Sequence, residues 1–210
     1  MTQIPILIAT RNAHKAQEIA AILPPDYRVS TLLDLPTAPE VEETGHTFAA
    51  NARLKAEGIS AVFSGLVLAD DSGLCVDTLN GAPGVLSARY AGEHGQDAEN
   101  NAKLLRELSV LRGWAPFPAR FVCALSLAEN GKEIAHFHGT VEGRITLHPR
   151  GLHGFGYDPL FVPRGYTCTM AELPADAKNA ISHRSNALRQ LADWIRCRST
   201  RFESRKDISC

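Results

Sequence analysis

Two adjacent carboxylates, Asp70 and Asp71, are the strongest candidates for chemistry in this sequence. They directly follow the apolar run Gly65–Ala69 and precede Ser72-Gly73. Charges beside a buried strand are costly unless they bind a metal ion or find partners. Mg²⁺ takes one or two carboxylates and shares its other positions with water and phosphate. The pattern therefore favours a magnesium site, although Ser72-Gly73 also fits a turn that closes the strand.

A polar segment near the N-terminus, Thr10–Lys15, has the features of an anion-binding loop. It lies between the apolar run Ile4–Ala9 and a run with helical periodicity. Backbone N–H groups at a helix N-terminus attract anions, and Thr10, Asn12 and Lys15 would add side-chain donors. An ordinary N-cap followed by a solvated lysine explains the same residues. The glycine-rich P-loop pattern occurs nowhere in the chain.

Acidic residues also precede a second predicted helix. Glu42-Glu43 stands before a helix that carries Asn51 and Lys55 one turn apart. Residues at that spacing share a helix face, so Asn51 and Lys55 are additional candidate binding residues. Carboxylates before a helix also stabilise its dipole, which is the structural alternative for Glu42-Glu43.

Two segments in the second half of the chain could hold an aromatic, anionic ligand. In Gly154–Pro159, glycines flank Phe155, so the backbone could approach a flat ligand on which the ring stacks. Lys178, His183 and Arg184 cluster at a predicted helix start, where the helix dipole disfavours positive charge. An anion among them would remove the repulsion, whereas a solvated basic first turn is the alternative.

The elements that must position these residues alternate in type, which predicts an α/β fold. Predicted strands are Ile4–Ala9, Gly65–Ala69, Arg120–Ala128, Glu133–Val141 and Leu160–Val162. Predicted helices are Ala16–Leu23, Thr47–Ile59, Asp97–Leu111 and Ser182–Ile195. Asn130-Gly131 predicts a hairpin turn between two strands. Gly81–Gly84 and Gly151–Asp158 are predicted loops.

Bulk composition limits the classes of function. The 210 residues suit one domain, with 44% hydrophobic and 21% charged residues. A formal net charge of -1 argues against a large nucleic-acid or membrane surface. The five cysteines form no metal-binding pair, and neither a signal peptide nor a long apolar run is evident, so we expect a cytoplasmic protein. Residues 196–210 are polar and basic, and we expect a flexible tail after a domain spanning residues 1–195.

Five segments together resemble the inosine triphosphate pyrophosphatase family, whose members are dITP/XTP diphosphatases. They are ATRNAHK, EETGHTFAANARLKA, ADDSGLCVDTLNGAPGVLSARYAGE, GFGYDPLF and KNAISHRSNAL, and the likeness runs from about Ile6 to Trp194. The resemblance implies an elongated mixed sheet flanked by helices, two lobes with a central cleft, and a homodimer. It also implies Mg²⁺-dependent hydrolysis of ITP, dITP or XTP to the monophosphate and pyrophosphate.

The resemblance also implies roles for individual residues. Asp71 matches the proton acceptor, with Asp70 as possible support, and Glu43 and Asp71 match the magnesium ligands. The matched substrate contacts are Thr10, Arg11, Asn12, Ala13, His14 and Lys15 for the triphosphate, Ser72 beside the acid, Phe155, Gly156, Tyr157 and Asp158 for the base, and Lys178, His183 and Arg184 for phosphate and base. Arg11 and His14 depart from the pattern, because many relatives have glycine there.

Three other functions are compatible with part of the sequence. A nucleotide-binding sensor with the same pocket is disfavoured by the set formed by Glu43, Asp71 and Lys178, because binding alone does not require an acid that activates water. A pyrophosphatase of the septum-inhibitor class, acting on dTTP or UTP, is disfavoured by the FGYDP and SHR segments. A structural protein whose acidic pairs only cap helices would leave the clustering of these motifs unexplained.

Overall fold

In the described part of the chain, six strands form one mixed sheet in the order β2-β1-β3-β4-β5-β6. The structure is a computed structural model that describes residues 3–93, 95–111, 113 and 115–206. The strands are β1 (Ile4–Ile8), β2 (Tyr27–Thr31), β3 (Leu66–Val76), β4 (Phe117–Glu129), β5 (Lys132–Ile145) and β6 (Phe161–Pro163). Strand β1 is parallel to β2 and β3, and the remaining pairs are antiparallel. A mixed sheet flanked by helices confirms the predicted fold class.

Within the described ranges, five α-helices flank the sheet, and side-chain caps account for the start of two of them. They are α1 (Ala13–Ile22), α2 (Phe48–Ser60), α3 (Asp97–Ser109), α4 (Ala175–Ile181) and α5 (His183–Lys206). The side chains of Asn12 and Thr47 cap α1 and α2 by accepting from Lys15 N and Ala50 N, each at 3.1 Å. Among the described residues, no helix combines the length and apolar character needed to cross a membrane.

The strand that carries the paired aspartates is longer than predicted. Strand β3 continues to Val76, so Asp70 and Asp71 lie in its middle and not after its end. The predicted position of the aspartates, and the alternative of a turn that closes the strand, are therefore both wrong. Antiparallel pairing with β4 carries the strand onward, with Asp70 opposite Leu125 and Asp71 opposite Ala124.

The pleat of β3 sends its two aspartates to different layers. Successive side chains of a strand point to opposite faces of the sheet. Leu68 packs in a core with residues of α1 and α5, whereas Ala69 packs in a second core with residues of α2. Asp70 therefore lies on the α1–α5 face and Asp71 on the α2 face. A third core joins the end of β3 to α3 and residues 157–173.

The remaining predictions of secondary structure are confirmed in part. Asn130 and Gly131 have φ of 51° and 77° between β4 and β5, as the predicted hairpin turn requires. Strand β2 and helix α4 were not predicted, because segments of five and seven residues are too short to show a clear periodicity. Helix α5 continues to Lys206, so its predicted end near Ile195 is wrong. The flexibility of the tail stays a prediction, and residues 207–210 lie outside the described residues.

The packing of α5 on β5 depends on a glycine. A Cβ atom added to Gly139 would lie 2.1 Å from the carbonyl oxygen of His183 and 2.6 Å from Ala187 N, so the α5 backbone would have to move. We expect Gly139→Ala to lower the free energy of unfolding by about 1–3 kcal/mol. Urea denaturation measures the change, with Gly113→Ala as a control that meets open space. Equal stability of the two variants would contradict this packing.

Candidate active site

A cleft of about 530 Å³ has the middle of β3 in its wall. It brings together residues that are far apart in the sequence, because β3 is flanked by β1 on one side and β4 on the other. The predicted site residues that line it are Thr10, Arg11, Asn12, Lys15, Glu43, Lys55, Asp70, Asp71, Ser72, Phe155, Gly156, Tyr157, Asp158, Lys178, His183 and Arg184. Ala13, His14 and Asn51 are not among the lining residues.

Asp70 is a buried anion bonded through both of its carboxylate oxygens. Oδ1 lies 2.6 Å from Lys15 Nζ and accepts from Ser72 Oγ at 2.9 Å. Oδ2 accepts from Arg184 Nε at 3.2 Å and from Cys123 Sγ at 3.1 Å. Burial by itself raises the pKa of Asp70, but Arg184 and Lys15 outweigh that effect and hold the pKa well below its usual range. Asp70 therefore fixes the positions of two cations.

Asp71 has a different environment on the opposite face of β3. Its Oδ1 lies 3.6 Å from Lys55 Nζ, whereas its Oδ2 is buried and has no hydrogen-bond partner among the described residues. Lys55 Nζ also donates to Glu43 Oε1 at 2.7 Å and to the Asp70 carbonyl oxygen at 2.8 Å. Burial raises the pKa of Asp71, although Lys55 and Lys15 oppose the change. Asp71 and Glu43 thus share one lysine.

The pair Glu43 and Asp71 fits a divalent cation. A buried carboxylate oxygen without a partner is costly, and a hard cation would satisfy it. In the part of the chain that the structure describes, no group of three or more His, Cys, Asp or Glu side chains could hold a metal ion. The two carboxylates of Glu43 and Asp71 are enough for Mg²⁺, which binds one or two protein carboxylates and takes its remaining ligands from water and substrate phosphate.

The Thr10–Lys15 segment uses several of its side chains to hold its own shape. Thr10 Oγ1 accepts from Asn12 N at 3.1 Å, and Asn12 caps α1. Arg11 donates to the carbonyl oxygens of Leu32 and Ala38, at 3.4 and 2.9 Å. The ordinary N-cap is therefore present, and it does not exclude anion binding, because the backbone at the start of α1 still borders the cleft.

The loop around Phe155 is held from within and by α3. Asp158 Oδ2 accepts from Phe155 N at 3.0 Å and forms an ion pair with Lys178. Gly156 N donates to Asp97 Oδ2 at 2.6 Å. The His14 ring stacks on Phe155 with centroids 5.3 Å apart and planes 12° apart. A fixed loop backbone with an aromatic ring beside the cleft suits a flat ligand.

Glu18 is a site residue that the sequence prediction missed. Its Oε1 lies 2.7 Å from Lys178 Nζ, and its Oε2 pairs with Arg184. The carboxylate of α1 thereby joins α4 and α5, and Lys178 belongs to α4 and not to the predicted start of the last helix. One signal could have found Glu18, because it follows Lys15 by three residues and so shares its helix face.

His183 presents a neutral imidazole to the cleft. Burial, and then the neighbouring Arg184, lower the pKa of His183 well below its usual range. Its ring stacks on Phe121 with centroids 5.0 Å apart, and its buried Nδ1 has no hydrogen-bond partner among the described residues. A neutral imidazole has one donor and one acceptor nitrogen, so His183 could read a polar edge of a ligand.

Two further residues act on the segment that carries Glu43. Asn51 Oδ1 accepts from Gly45 N at 2.8 Å, so Asn51 positions this segment from outside the cleft. Arg89 lines the cleft, and its Nη1 lies 3.8 Å from Glu43 Oε2. Arg89 lies inside the segment ADDSGLCVDTLNGAPGVLSARYAGE, but no binding role was predicted for it.

Comparison with known proteins identifies similar enzymes and structures. The chain is 48% identical over 190 residues to a dITP/XTP pyrophosphatase of Halalkalibacterium halodurans, which covers 90% of this chain and 97% of the relative. It is 52% identical over 192 residues to a dITP/XTP pyrophosphatase of Exiguobacterium sibiricum, with 89% and 94% covered. The Staphylococcus aureus Ham1 protein has a similar structure, with 42% identity, a TM-score of 0.82, and 92% and 99% of the two chains covered.

A second solved structure and a family model agree with these similarities. A HAM1 protein from Coxiella burnetii matches with 40% identity and a TM-score of 0.83, over 92% of this chain and 98% of the other. The model of the Ham1 family matches residues 6–194, which include every predicted site residue. The predicted family resemblance is confirmed, and this chain belongs to the Ham1 family.

Proposed function

We propose that this protein hydrolyses non-standard purine nucleoside triphosphates, namely ITP, dITP and XTP, to the monophosphate and pyrophosphate. The names of its relatives, dITP/XTP pyrophosphatase, support this activity. The observation that carries the proposal is the buried, unpartnered Oδ2 of Asp71 beside Glu43 in a cleft lined by Lys15 and Lys178. An unsatisfied carboxylate among several cations suits a metal ion and a polyphosphate better than it suits packing.

Glu43 and Asp71 would hold Mg²⁺, which when bound polarises phosphate oxygens and screens their charge. Lys15, Lys178 and the backbone amides of the Thr10–Lys15 segment would bind the triphosphate. Asp71 would orient a water molecule and accept its proton as the water oxygen attacks the α-phosphorus. The bond from the α-phosphorus to the α–β bridging oxygen breaks, and pyrophosphate leaves. Asp70 would support this arrangement through Lys15 and Arg184.

Base selection would depend on Phe155 and His183. Phe155 would stack on the purine, and a donor of His183 would pair with a 6-keto oxygen. The guanidinium of Arg184 already donates to Glu18, Asp70 and Ser72, so His183 is the more direct candidate for reading the base. The 6-amino group of adenine is itself a hydrogen-bond donor, so it could not pair with the donor of His183. A buried polar group left unpaired in this way is strongly penalised, which allows large selectivity from one atom.

A panel of nucleoside triphosphates with Mg²⁺ tests the proposed function. We expect pyrophosphate release from ITP, dITP and XTP with kcat/KM about 10²-fold or more above that for ATP. The assay measures pyrophosphate and orthophosphate separately. Release of orthophosphate, or equal rates on ITP and ATP, would contradict the proposal. Preference for dTTP or UTP would indicate the septum-inhibitor class, and tight binding without turnover would indicate a nucleotide sensor. The homodimer and the cytoplasmic location stay predictions.

A further inference from the structure

Arg89 stands on a firmly anchored turn at the edge of the cleft. It ends the 3₁₀ helix Gly84–Arg89, in which Ser87 Oγ accepts from Leu74 N at 2.9 Å and donates to Gly84 O at 2.6 Å. On the other side of Arg89, Ala91 N donates to Asn100 Oδ1 at 2.7 Å. The backbone on both sides of Arg89 is therefore fixed against β3 and α3.

The guanidinium of Arg89 is held much more loosely than its backbone. Its contact with Glu43 is 3.8 Å, which is beyond hydrogen-bond distance, and the Arg89 side chain is 35% exposed. Lys55, by contrast, makes a 2.7 Å bond to the same carboxylate and a second bond to the Asp70 carbonyl oxygen. A metal cation bound to Glu43 and Asp71 would compete with both positive side chains for Glu43. Lys55 would still be held by its bond to the Asp70 carbonyl oxygen, whereas Arg89 would be released.

Three other cations of the cleft have close carboxylate partners, and Arg11 donates to two backbone carbonyl oxygens. Lys15 pairs with Asp70 at 2.6 Å, Lys178 with Glu18 at 2.7 Å, and Arg184 with Asp70 at 3.2 Å. The contact with Glu43 at 3.8 Å is the one side-chain contact of the Arg89 guanidinium among the described residues, so most of its donors are available to a ligand. Its side chain points to the Glu43 side of the cleft, whereas Lys178 lies 4.8 Å from the Phe155 ring centroid.

We propose that Arg89 binds the pyrophosphate part of the substrate, the part that is released. This inference rests on the proposed function, because it assigns a residue to the triphosphate of the same reaction. Arg89 donates to phosphate oxygens from the side of the cleft where Glu43 lies, and it exchanges its loose contact with Glu43 for charge-assisted hydrogen bonds. Its planar guanidinium suits bidentate contact with phosphate.

Calorimetric binding of the two separate products, pyrophosphate and IMP, tests the assignment in the presence of Mg²⁺. We expect Arg89→Gln to weaken pyrophosphate binding by about 10- to 100-fold and to leave IMP binding unchanged. Arg89→Lys keeps the charge and should recover part of the loss. Arg106→Gln on the exposed face of α3 removes the same charge at a residue that does not line the cleft and should change neither affinity.

Several outcomes would overturn the assignment. Unchanged pyrophosphate binding in Arg89→Gln, an equal loss of IMP binding, or an equal loss in Arg106→Gln would each do so. Weaker binding of Mg²⁺ alone to Arg89→Gln would show that Arg89 acts only by supporting Glu43. The unaltered protein tests the proposed function separately, because its preference for ITP over ATP does not depend on any Arg89 variant.

Discussion

Asp71→Asn is expected to lower kcat for pyrophosphate release from ITP by about 10²–10⁴-fold while the protein still binds the nucleotide. An asparagine keeps the size of the side chain but cannot accept a proton from water. It also removes one negative charge from the pair with Glu43 and so weakens the hold on a cation. The phosphate and base contacts proposed for Lys15, Lys178 and Phe155 are unchanged in this variant.

Initial rates of pyrophosphate release and calorimetric binding of ITP measure the two effects separately. Asp77→Asn is a matched control, because Asp77 is half-exposed, pairs with Arg120 and is not among the residues that line the cleft. We expect the control to keep its rate within about twofold, in line with the small effects of exposed pairs. A rate for Asp71→Asn equal to that of the control would remove Asp71 from the mechanism.

Asp70→Asn is expected to destabilise the fold by about 3–5 kcal/mol, because it leaves buried cations with too little opposing charge. Arg184 is almost completely buried, and Asp70 neutralises it together with Lys15. Arg184 keeps Glu18, so the loss should fall within this range and not beyond it. Urea denaturation near neutral pH measures the change in the free energy of unfolding.

The effect of Asp70→Asn should also depend on pH with a definite sign. Because the pKa of Asp70 is lowered in the fold, its carboxylate stabilises the protein fully above its ordinary pKa of 3.8. That contribution is lost as pH falls through the lower pKa of the folded state. The difference between the unaltered protein and the variant should therefore shrink below about pH 4. A difference below about 1 kcal/mol near neutral pH, similar to that of Asp77→Asn, would contradict the buried network.

Predictions that depend on short stretches of sequence agree well with the structure. Helix α1 ends within one residue of its predicted end, helix α2 has both ends within one residue of the predicted bounds, and Asn130-Gly131 form the predicted turn between β4 and β5. Each of these features depends on the backbone preferences of a few neighbouring residues. The predicted end of β3 was wrong for the complementary reason, since only pairing with β4 carries the strand through two charged residues.

The candidate site was predictable as a set of motifs but not as an arrangement. Sixteen of the predicted residues line one cleft. Which of these residues contact one another was not evident from the sequence. Glu18 and Arg184, for example, are 166 positions apart and meet only in the fold. Arg89 belongs to one of the quoted segments without a predicted role, and only the structure places it beside Glu43.

The sequence by itself determined the family of this protein, the class of its fold and the residue types of its site, because ordered motifs and local periodicity are properties of the chain. The tertiary structure alone decided the surroundings of each aspartate. Alternation along β3 turns Asp70 towards Arg184 and Lys15, where every carboxylate oxygen is bonded. The same alternation turns Asp71 towards Lys55 and leaves its Oδ2 without a partner. Which charges are neutralised depends on the layers packed on each face of the sheet, and sequence spacing does not specify those layers.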